Sequence, residues 1–338
     1  MTAPVQLDVA HVVAGGEMQI VGMRNIVRAL LLMCLSSVVL AVYPERPIRL
    51  IVPYAPGGSS DAIARVLAQM MVAQLGQSVV IDNRAGASSI IGRSLTARAV
   101  PDGYTLMLGD AVHSINVHVL RNIPYDPIRD FSFISMVGRT PMVLAVQPQT
   151  ARDLAAFISL VRAQPGRLNY GNGGSGSITH LTGELFKKSL QLDVVGVPYK
   201  SIGLAVTGLI GAQVQAAFPS LPTTVGHVAA GRLRVLAVAA EQRASVLPEV
   251  PTFVELGVKE VIVANWFGVM GPPALPAPLL TRLVQYTHQA LAQPELRERF
   301  NAMALEIAPN QPPVFKAMVA AEIDRWGKVV KLAGIQPE

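Results

Sequence analysis

The residues Asn169 to Phe186, NYGNGGSGSITHLTGELF, place five glycines and the hydroxyls of Ser175, Ser177 and Thr179 between a short strand-like run and an amphipathic helix. Three chemistries suit such a loop. Gly171-x-Gly173-x-x-Gly176 has the spacing of a dinucleotide-binding turn. Gly173-Gly174-Ser175-Gly176-Ser177 comes close to the elbow that exposes a nucleophilic serine. Backbone N–H groups at a helix start, where the partial positive charge of the helix gathers, can also wrap a small anion. A second loop, Val52 to Arg65 (VPYAPGGSSDAIAR), has the same setting after a strand and before a helix.

The first two chemistries need partners that are hard to find. A ribose-binding acid should close the next strand, whereas Asp193 opens DVVGVPY, and no G-x-x-x-x-G-K-[ST] is present. The elbow lacks its last glycine because Ser177 stands there. His180 is too near in sequence to serve Ser175 as a base, while His227 and His288 could approach only through folding. A secreted α/β esterase using Ser175 or Ser177 is therefore the alternative reading, and a nicotinamide oxidoreductase the third. No histidine pair has metal-ligand spacing, so no metal and no cofactor is expected. His180 reads more readily as a satisfied histidine at a helix start than as a ligand contact. Two further strand ends, VPYKSIG with Tyr199 and Lys200, and AAFPSLP with Phe218, could add contacts, and Trp266 with Phe267 could wall a cleft.

The elements that carry these loops are written in alternation. IRLIVPY precedes a helix from about Ser60 to Leu75, SVVIDNR one from about Ser89 to Ala99, and YTLMLGD further helix, which predicts α/β layering with parallel strands and crossover helices. In the first helix Ile63, Leu67, Met70, Met71 and Leu75 recur at helical spacing, Ser59 to Asp61 offer caps, and Gly76 ends it. A second series runs through MVLAVQP, LNYGNG, VVGVPY, VQAAFPS and LRVLAVAA to VIVANWFGVMGPP. Two amphipathic C-terminal helices without a strand to serve should pack back on the first series. The pattern predicts one domain of residues 43–141 plus 264–338 and another of 142–263. Two connections, near 141 and 264, leave a hinged cleft at the strand ends.

The N-terminus bears on compartment. Arg24 and Arg28 precede the apolar run ALLLMCLSSVVLAV (Ala29 to Val42), which reads as a cleaved signal peptide over residues 23–42 and is short for a spanning helix. Residues 1–22 have no place before a signal and suggest that translation starts at Met23. Cys34, the only cysteine, falls inside the signal, so the mature chain would have no disulfide or thiolate. The formal charge of +6 is spread without a Lys/Arg run, and aromatics make up only 5% of the chain. That disfavours nucleic acid and is compatible with a small anionic ligand.

At YPERPIRLIVPYAPGGSSDAIARVLAQMM, VVIDNRAGASSIIGRSLTARAVPDGYTLMLGD, YDPIRDFSFISMVG, the 168–186 segment, VPYK and WFGVMGPPALP, the chain resembles the extracytoplasmic solute-binding receptors of tripartite tricarboxylate transporters, the Bug family. The resemblance covers the whole mature chain. It implies a two-domain Venus flytrap, type II-like, with two lobes joined by two crossover strands. It also implies a periplasmic, non-catalytic receptor that gives a di- or tricarboxylate or related organic acid to a membrane permease; a sensor is a further conceivable partner. Carried over by position, the ligand would meet Tyr54, Ala55, Pro56, Gly57, Gly58, Ser59, Ser60 and Asp61 in one loop, with Asp61 better suited to capping. In the other it would meet Gly174, Ser175, Ser177, Thr179 and His180. Where the family commonly has glycine after PYK and an acid after the later phenylalanine, this chain has Ser201 and Pro219. That departure favours a plain carboxylate over an amino acid.

Overall fold

In a computed structural model of the chain, residues 43–337 are described; the signal segment and Cys34 lie outside them. Residues Arg46–Glu338 form one unit, and the description below concerns that unit. The first strand, β1 (Ile48–Val52), is almost wholly buried and runs parallel to β2 (Val79–Asn83) on one side and β3 (Thr105–Asp110) on the other. Helices α1 (Ser59–Leu75) and α2 (Ile90–Ala97) connect them, and α3 (Val112–Val119) follows β3. Ile63, Leu67, Met70, Met71 and Leu75 form the buried face of α1, and Gly76 ends it in the left-handed conformation, its N–H bonded to the Val72 carbonyl.

The chain then crosses. Strand β4 (Ser132–Pro141) continues through Met142 into β5 (Val143–Val146), and the return path enters β10 (Ala264–Gly271), which pairs antiparallel with both β3 and β4. The two connections lie side by side, with Met142 N–H bonded to the Val263 carbonyl at 2.9 Å and Ala264 opposite Pro141. Between them α4 (Leu154–Ala163), β6 (Asn169–Asn172), α5 (Ile178–Leu190), β7 (Val195–Pro198), α6 (Ile202–Ile210), β8 (Ala216–Ala217), α7 (Leu221–Ala229) and β9 (Arg234–Val238) build a second sheet, ordered β7-β6-β8-β5-β9.

The sheets are mixed, where alternation alone predicts parallel strands. A strand that passes from one sheet to the other, or returns, enters without a crossover helix and runs antiparallel to its neighbours, as β4, β5 and β10 do. One continuous cluster includes Ile51 and Met107 of the first sheet together with Leu144 and Tyr170 of the second.

After β10 the chain is helical except for one short strand. Pro294 divides the long amphipathic segment into α8 (Ala277–Ala292) and α9 (Pro294–Ala302), since proline lacks the N–H and pushes the preceding residue, here Gln293 at ψ 132°, out of the helical region. Strand β11 (Glu306–Ile307) then adds to the β4 edge, so the first sheet reads β11-β4-β10-β3-β1-β2. Helices α8 and α9 pack on α1, as the patterning suggests. The last helix, α10 (Pro312–Ala333), packs on α3 and β4 but also on α5. Its Phe315 ring presses so closely on β10 that a Cβ at Gly268 would stand 2.2 Å from Cζ. We expect Gly268→Ala to lower unfolding free energy in urea by about 1–3 kcal/mol through overpacking, and Phe315→Leu in the same chain to restore part of it.

Candidate functional site

Of the helices that begin just beyond strand ends, α1, α5, α6 and α7 differ in what happens to their first amides. At α5, the Ser177 hydroxyl accepts from His180 N–H, and at α6 the Ser201 hydroxyl accepts from Leu204 N–H. The starts of α1 and α7 have no side-chain cap: Gly58 has no side chain to offer, and Ser220 does not use its own for capping. The sequence suggests Ser59 to Asp61 as caps for α1, but the helix begins one residue earlier. Ser59, Ser60 and Asp61 are buried in the first turn, and Asp61 reaches back instead to accept Gly57 N–H at 3.1 Å. The α1 N-terminus therefore keeps amide donors that its own side chains do not satisfy.

Asp61 holds the loop from inside. It also accepts from Asn83 Nδ2 at 3.0 Å and pairs with Arg65 at 3.0 Å, while Asn83 gives a second bond to the Tyr54 carbonyl. Burial raises its pKa, but Arg65, the Gly57 amide and Asn83 outweigh burial and hold the carboxyl below its usual range. Ionised and saturated with donors, it braces the loop rather than facing an anion. Tyr54 is similar: the ring is half-buried, yet its hydroxyl turns inward to Asp110 at 3.0 Å, and burial followed by the Asp110 charge raises the phenol well above its ordinary value. Ala55 is half-buried, and Pro56 and Gly57 are exposed. Gly58 sits in extended backbone (φ −88°, ψ 174°) with nothing within 4 Å of where a Cβ would stand.

The second loop spends more of its donors on itself. Gly173 N–H goes to Thr179 Oγ1 at 2.8 Å, Gly174 N–H to Asn172 Oδ1, Gly176 N–H to His180 Nδ1 and Ser177 N–H to the Gly174 carbonyl. Because His180 Nδ1 accepts an N–H, the neutral ring carries its proton on Nε2. The Ser177 and Thr179 hydroxyls are linked at 2.9 Å. Ser175 is half-buried at the turn. Tyr199 lies over Gly171 and Gly208 of its own sheet's layer, with its hydroxyl bonded to Gln213 Oε1. Phe218, 1% exposed, packs edge-on to Tyr170 and beside Phe186 in the core. Phe218 is thus a core residue, while Tyr199 is half-buried beside the second loop.

The glycines that resemble a nucleotide turn have packing reasons. A Cβ at Gly171 would meet Ala205 at 3.1 Å, one at Gly173 the Ile202 amide at 3.2 Å, and one at Gly176 the Val119 side chain at 2.6 Å. Gly176, at φ +71°, lets the second loop seat against α3 of the first sheet's layer. We expect Gly176→Ala to destabilise by about 2–3 kcal/mol, from left-handed strain plus the Val119 contact. Adding Val119→Ala should recover only the contact part, a partial rescue readable by urea unfolding.

The loops also approach each other's lobes directly. An added Cβ on Gly203, in the first turn of α6, would lie 3.5 Å from the Gly57 carbonyl oxygen, and α1 touches α7. Two depressions elsewhere, of about 710 Å³ between α4 and β9 and about 370 Å³ beside Arg49 and Asp82, contain no residue of either loop. The larger one holds the N-cap Asp153, whose carboxylate is already spent on Ala156 N–H. The uncapped α1 start lies in neither depression. A hydroxyl–imidazole pair that the fold does build, Ser135 with His288 at 3.0 Å, is on β4 and α8. Among the described residues no group of three or more potential metal ligands forms, and no helix is long and apolar enough to cross a membrane.

With two mixed sheets, paired crossovers and facing loops in place, comparison with known proteins decides the family. Residues 63–335 match the tripartite tricarboxylate transporter family receptor model, TctC. The chain belongs to this family. Protein BugT of Bordetella pertussis is 38% identical over 295 residues, covering 86% of this chain and 90% of BugT. The R. palustris protein Rpa4515, solved with adipate, superposes with a TM-score of 0.85 at 34% identity, over 88% of this chain and all of that one. MatC (Rpa3494) of Rhodopseudomonas palustris, solved with malate, gives 0.80 at 30% identity, over 85% and 100%. The chain is thus a TctC/Bug-type periplasmic solute-binding protein with the two-lobe flytrap fold, and the family is one of receptors.

Residues that the sequence reading passes over are Asn83, Arg93, Asp110 and Asn172. Three of them end strands β2, β3 and β6, where polar side chains in an α/β layer face the loops. Strand-end position was the available signal for those three; Arg93, in the middle of an apolar helix, had none.

Proposed function

We propose that this receptor captures a small carboxylate between the Tyr54–Asp61 and Gly174–His180 loops and delivers it, without chemical change, to the permease of a tripartite tricarboxylate transporter. The observation that carries this reading is the uncapped α1 start. Gly58 leaves the first-turn amides without a side-chain acceptor, opens onto free space, and lies in a loop whose Gly57 carbonyl approaches the opposite lobe. A carboxylate there accepts oriented neutral donors and avoids the desolvation cost of a buried ion pair. Ser59, Ser60, Ser175, Ser177 and Thr179 supply hydroxyls around it, with Tyr199 beside the second loop and Phe218 in the core.

Residues 43–141 with 264–338 act as one lobe and 142–263 as the other. Ligand contacts made by both loops favour the closed arrangement. The adipate and malate of the two relatives set the first probes. Export through the 23–42 segment and cleavage near Tyr43 would place the receptor in the periplasm, and N-terminal sequencing of secreted protein checks that step.

Native mass spectrometry of protein purified without refolding, followed by thermal-shift screening of adipate, malate and longer or tribasic acids, tests the function. A ligand at one hundred times its Kd adds about 2.7 kcal/mol, a rise in Tm of roughly 4 °C for a chain of this size. If no carboxylate shifts Tm, and ester cleavage instead appears and is lost on replacing Ser175 or Ser177, the receptor reading falls and the hydrolase stands.

A further inference from the structure

Arg93 lies on the buried face of α2 with Gly92 and Thr96 and is completely buried, with 0% exposure. Its Nη2 donates to Asp110 Oδ1 at 2.6 Å, its Nε to Ser89 Oγ at 2.9 Å, and the same Asp110 oxygen receives the Tyr54 hydroxyl at 3.0 Å. Arg93 Nη1 has no partner. A buried ion pair with an unspent N–H is a poor source of stability, because desolvation offsets most of the attraction, and well-packed apolar replacements are often as stable. The pair does something that apolar packing cannot: it fixes the direction of an acceptor for Tyr54 under the first ligand loop.

The three ties on that loop are distinct. Asn83 holds the Tyr54 carbonyl, Asp61 holds the Gly57 amide, and the Arg93–Asp110 pair holds the Tyr54 side chain. The backbone on the other side of the pair is unusual too. Gly86, Ala87, Ser88 and Ser89 all have positive φ, and three of them are not glycine. Strain of this kind persists only where the surroundings over-determine it. Here Arg93 Nε bonds Ser89 Oγ, and Asn116 Nδ2 bonds the Ser88 carbonyl. One guanidinium therefore links the strained 86–89 turn to Tyr54, through Asp110 and through its own Nη2 at 3.5 Å from the Tyr54 hydroxyl.

We propose that Arg93 and Asp110 are positioning residues for ligand capture: a buried ion pair that pre-sets the Tyr54–Gly58 loop so that its amides converge before the ligand arrives. The affinity part rests on the receptor reading above; the ordering of the loop does not.

The test uses Tyr54→Phe in the mature chain, which removes the hydroxyl bonded to Asp110 and leaves the Arg93–Asp110 bond in place. In the ligand-free protein, amide exchange at Gly57 and Gly58 should become at least ~5-fold faster. Adipate, or whichever screened carboxylate binds the parent protein, should bind ~10-fold more weakly, as for one lost hydrogen bond to a charged group. Tm should fall by no more than ~3 °C. Arg93→Met combined with Asp110→Leu should reproduce both effects in a folded protein; if that variant does not fold, Tyr54→Phe decides alone. Unchanged loop exchange in Tyr54→Phe overturns the proposal, and so does faster exchange with unaltered carboxylate affinity. If the parent binds no carboxylate, the receptor reading fails, and the exchange measurement still decides whether the pair orders the loop.

Discussion

Gly58→Val is expected to abolish carboxylate binding while leaving the fold intact. Both halves follow from local geometry. Gly58 has φ −88° and ψ 174°, values that a β-branched residue adopts freely, and an added Cβ meets nothing within 4 Å. No strain and no clash arise, so unfolding free energy should stay within about 0.5 kcal/mol of the parent. The new isopropyl group stands directly before the first-turn amides of α1, in the space that a carboxylate needs. Loss of several charge-assisted hydrogen bonds at once should weaken binding by at least ~100-fold in calorimetry or thermal shift. Gly58→Ala should be intermediate. Full affinity in Gly58→Val would remove the first loop from the site. Gly57 is a poor alternative for this experiment, because its φ of +92° makes any side chain strained and would confuse a fold defect with a binding defect.

The loops were legible in the sequence because their constraint is local. Glycine and hydroxyl residues after a strand and before a helix announce a helix start wherever the tertiary structure lies. What each donor is used for was not legible. Gly174 and Gly176 offer N–H groups on paper, but Asn172 Oδ1 and His180 Nδ1 take them. Ser177 looks like a nucleophile or ligand contact and is also the N-cap of α5. Such assignments depend on which acceptors folding brings within 3 Å, and a one-dimensional pattern does not carry that information. Arg93 is the sharpest case. In IIGRSLTA it reads as a polar interruption of a surface helix, and only Asp110, seventeen residues on at the end of another strand, explains its burial.

The same division holds for the fold. Ile63, Leu67, Met70, Met71 and Leu75 specified α1, and Gly76 specified its end, through spacing alone. Strand direction was harder. β5 reads like any other buried strand, yet it runs antiparallel to β8 and β9 because the chain enters it straight from β4, a fact of connection and not of composition. Strand β11, two residues long, was invisible for a related reason: its place depends on Gly138 in β4, where a Cβ would stand 2.4 Å from the Glu306 carbonyl, and on the paired hydrogen bonds of Arg139 to Glu306 at 2.9 Å.

Stability should fall as pH drops from 7 to 5, and His113 should account for much of the fall. Its side chain is fully buried on α3, stacked on Tyr125 and edge-on to Phe131, with Nε2 at 2.7 Å from the Pro127 carbonyl. Nε2 must donate to that oxygen, which leaves Nδ1 bare and without a partner. Burial, and next the Arg93 charge, depress the imidazole pKa to about 3; the Pro127 bond opposes them only partly. In the unfolded chain the same histidine takes up a proton near its ordinary value of about 6.5. Between those values the unfolded state binds more protons, so the contribution is complete above pH 6.5 and is lost progressively down to about pH 3. At 1.36 kcal/mol per unit, the loss at pH 5 is about 2 kcal/mol. Urea unfolding at pH 7 and pH 5 measures it. His227, also depressed by burial and by Arg232, adds a smaller effect of the same sign, so the decisive comparison is His113→Leu. That variant loses the Pro127 hydrogen bond and is less stable at pH 7, but its pH slope over this window should be much flatter. An undiminished slope would assign the titration to another group. A flattened one would mean that neutral imidazole is a condition of the packing beside Arg93, and that mild acid acts on the α3 side of the first lobe before it reaches the carboxylates, whose ordinary range lies lower.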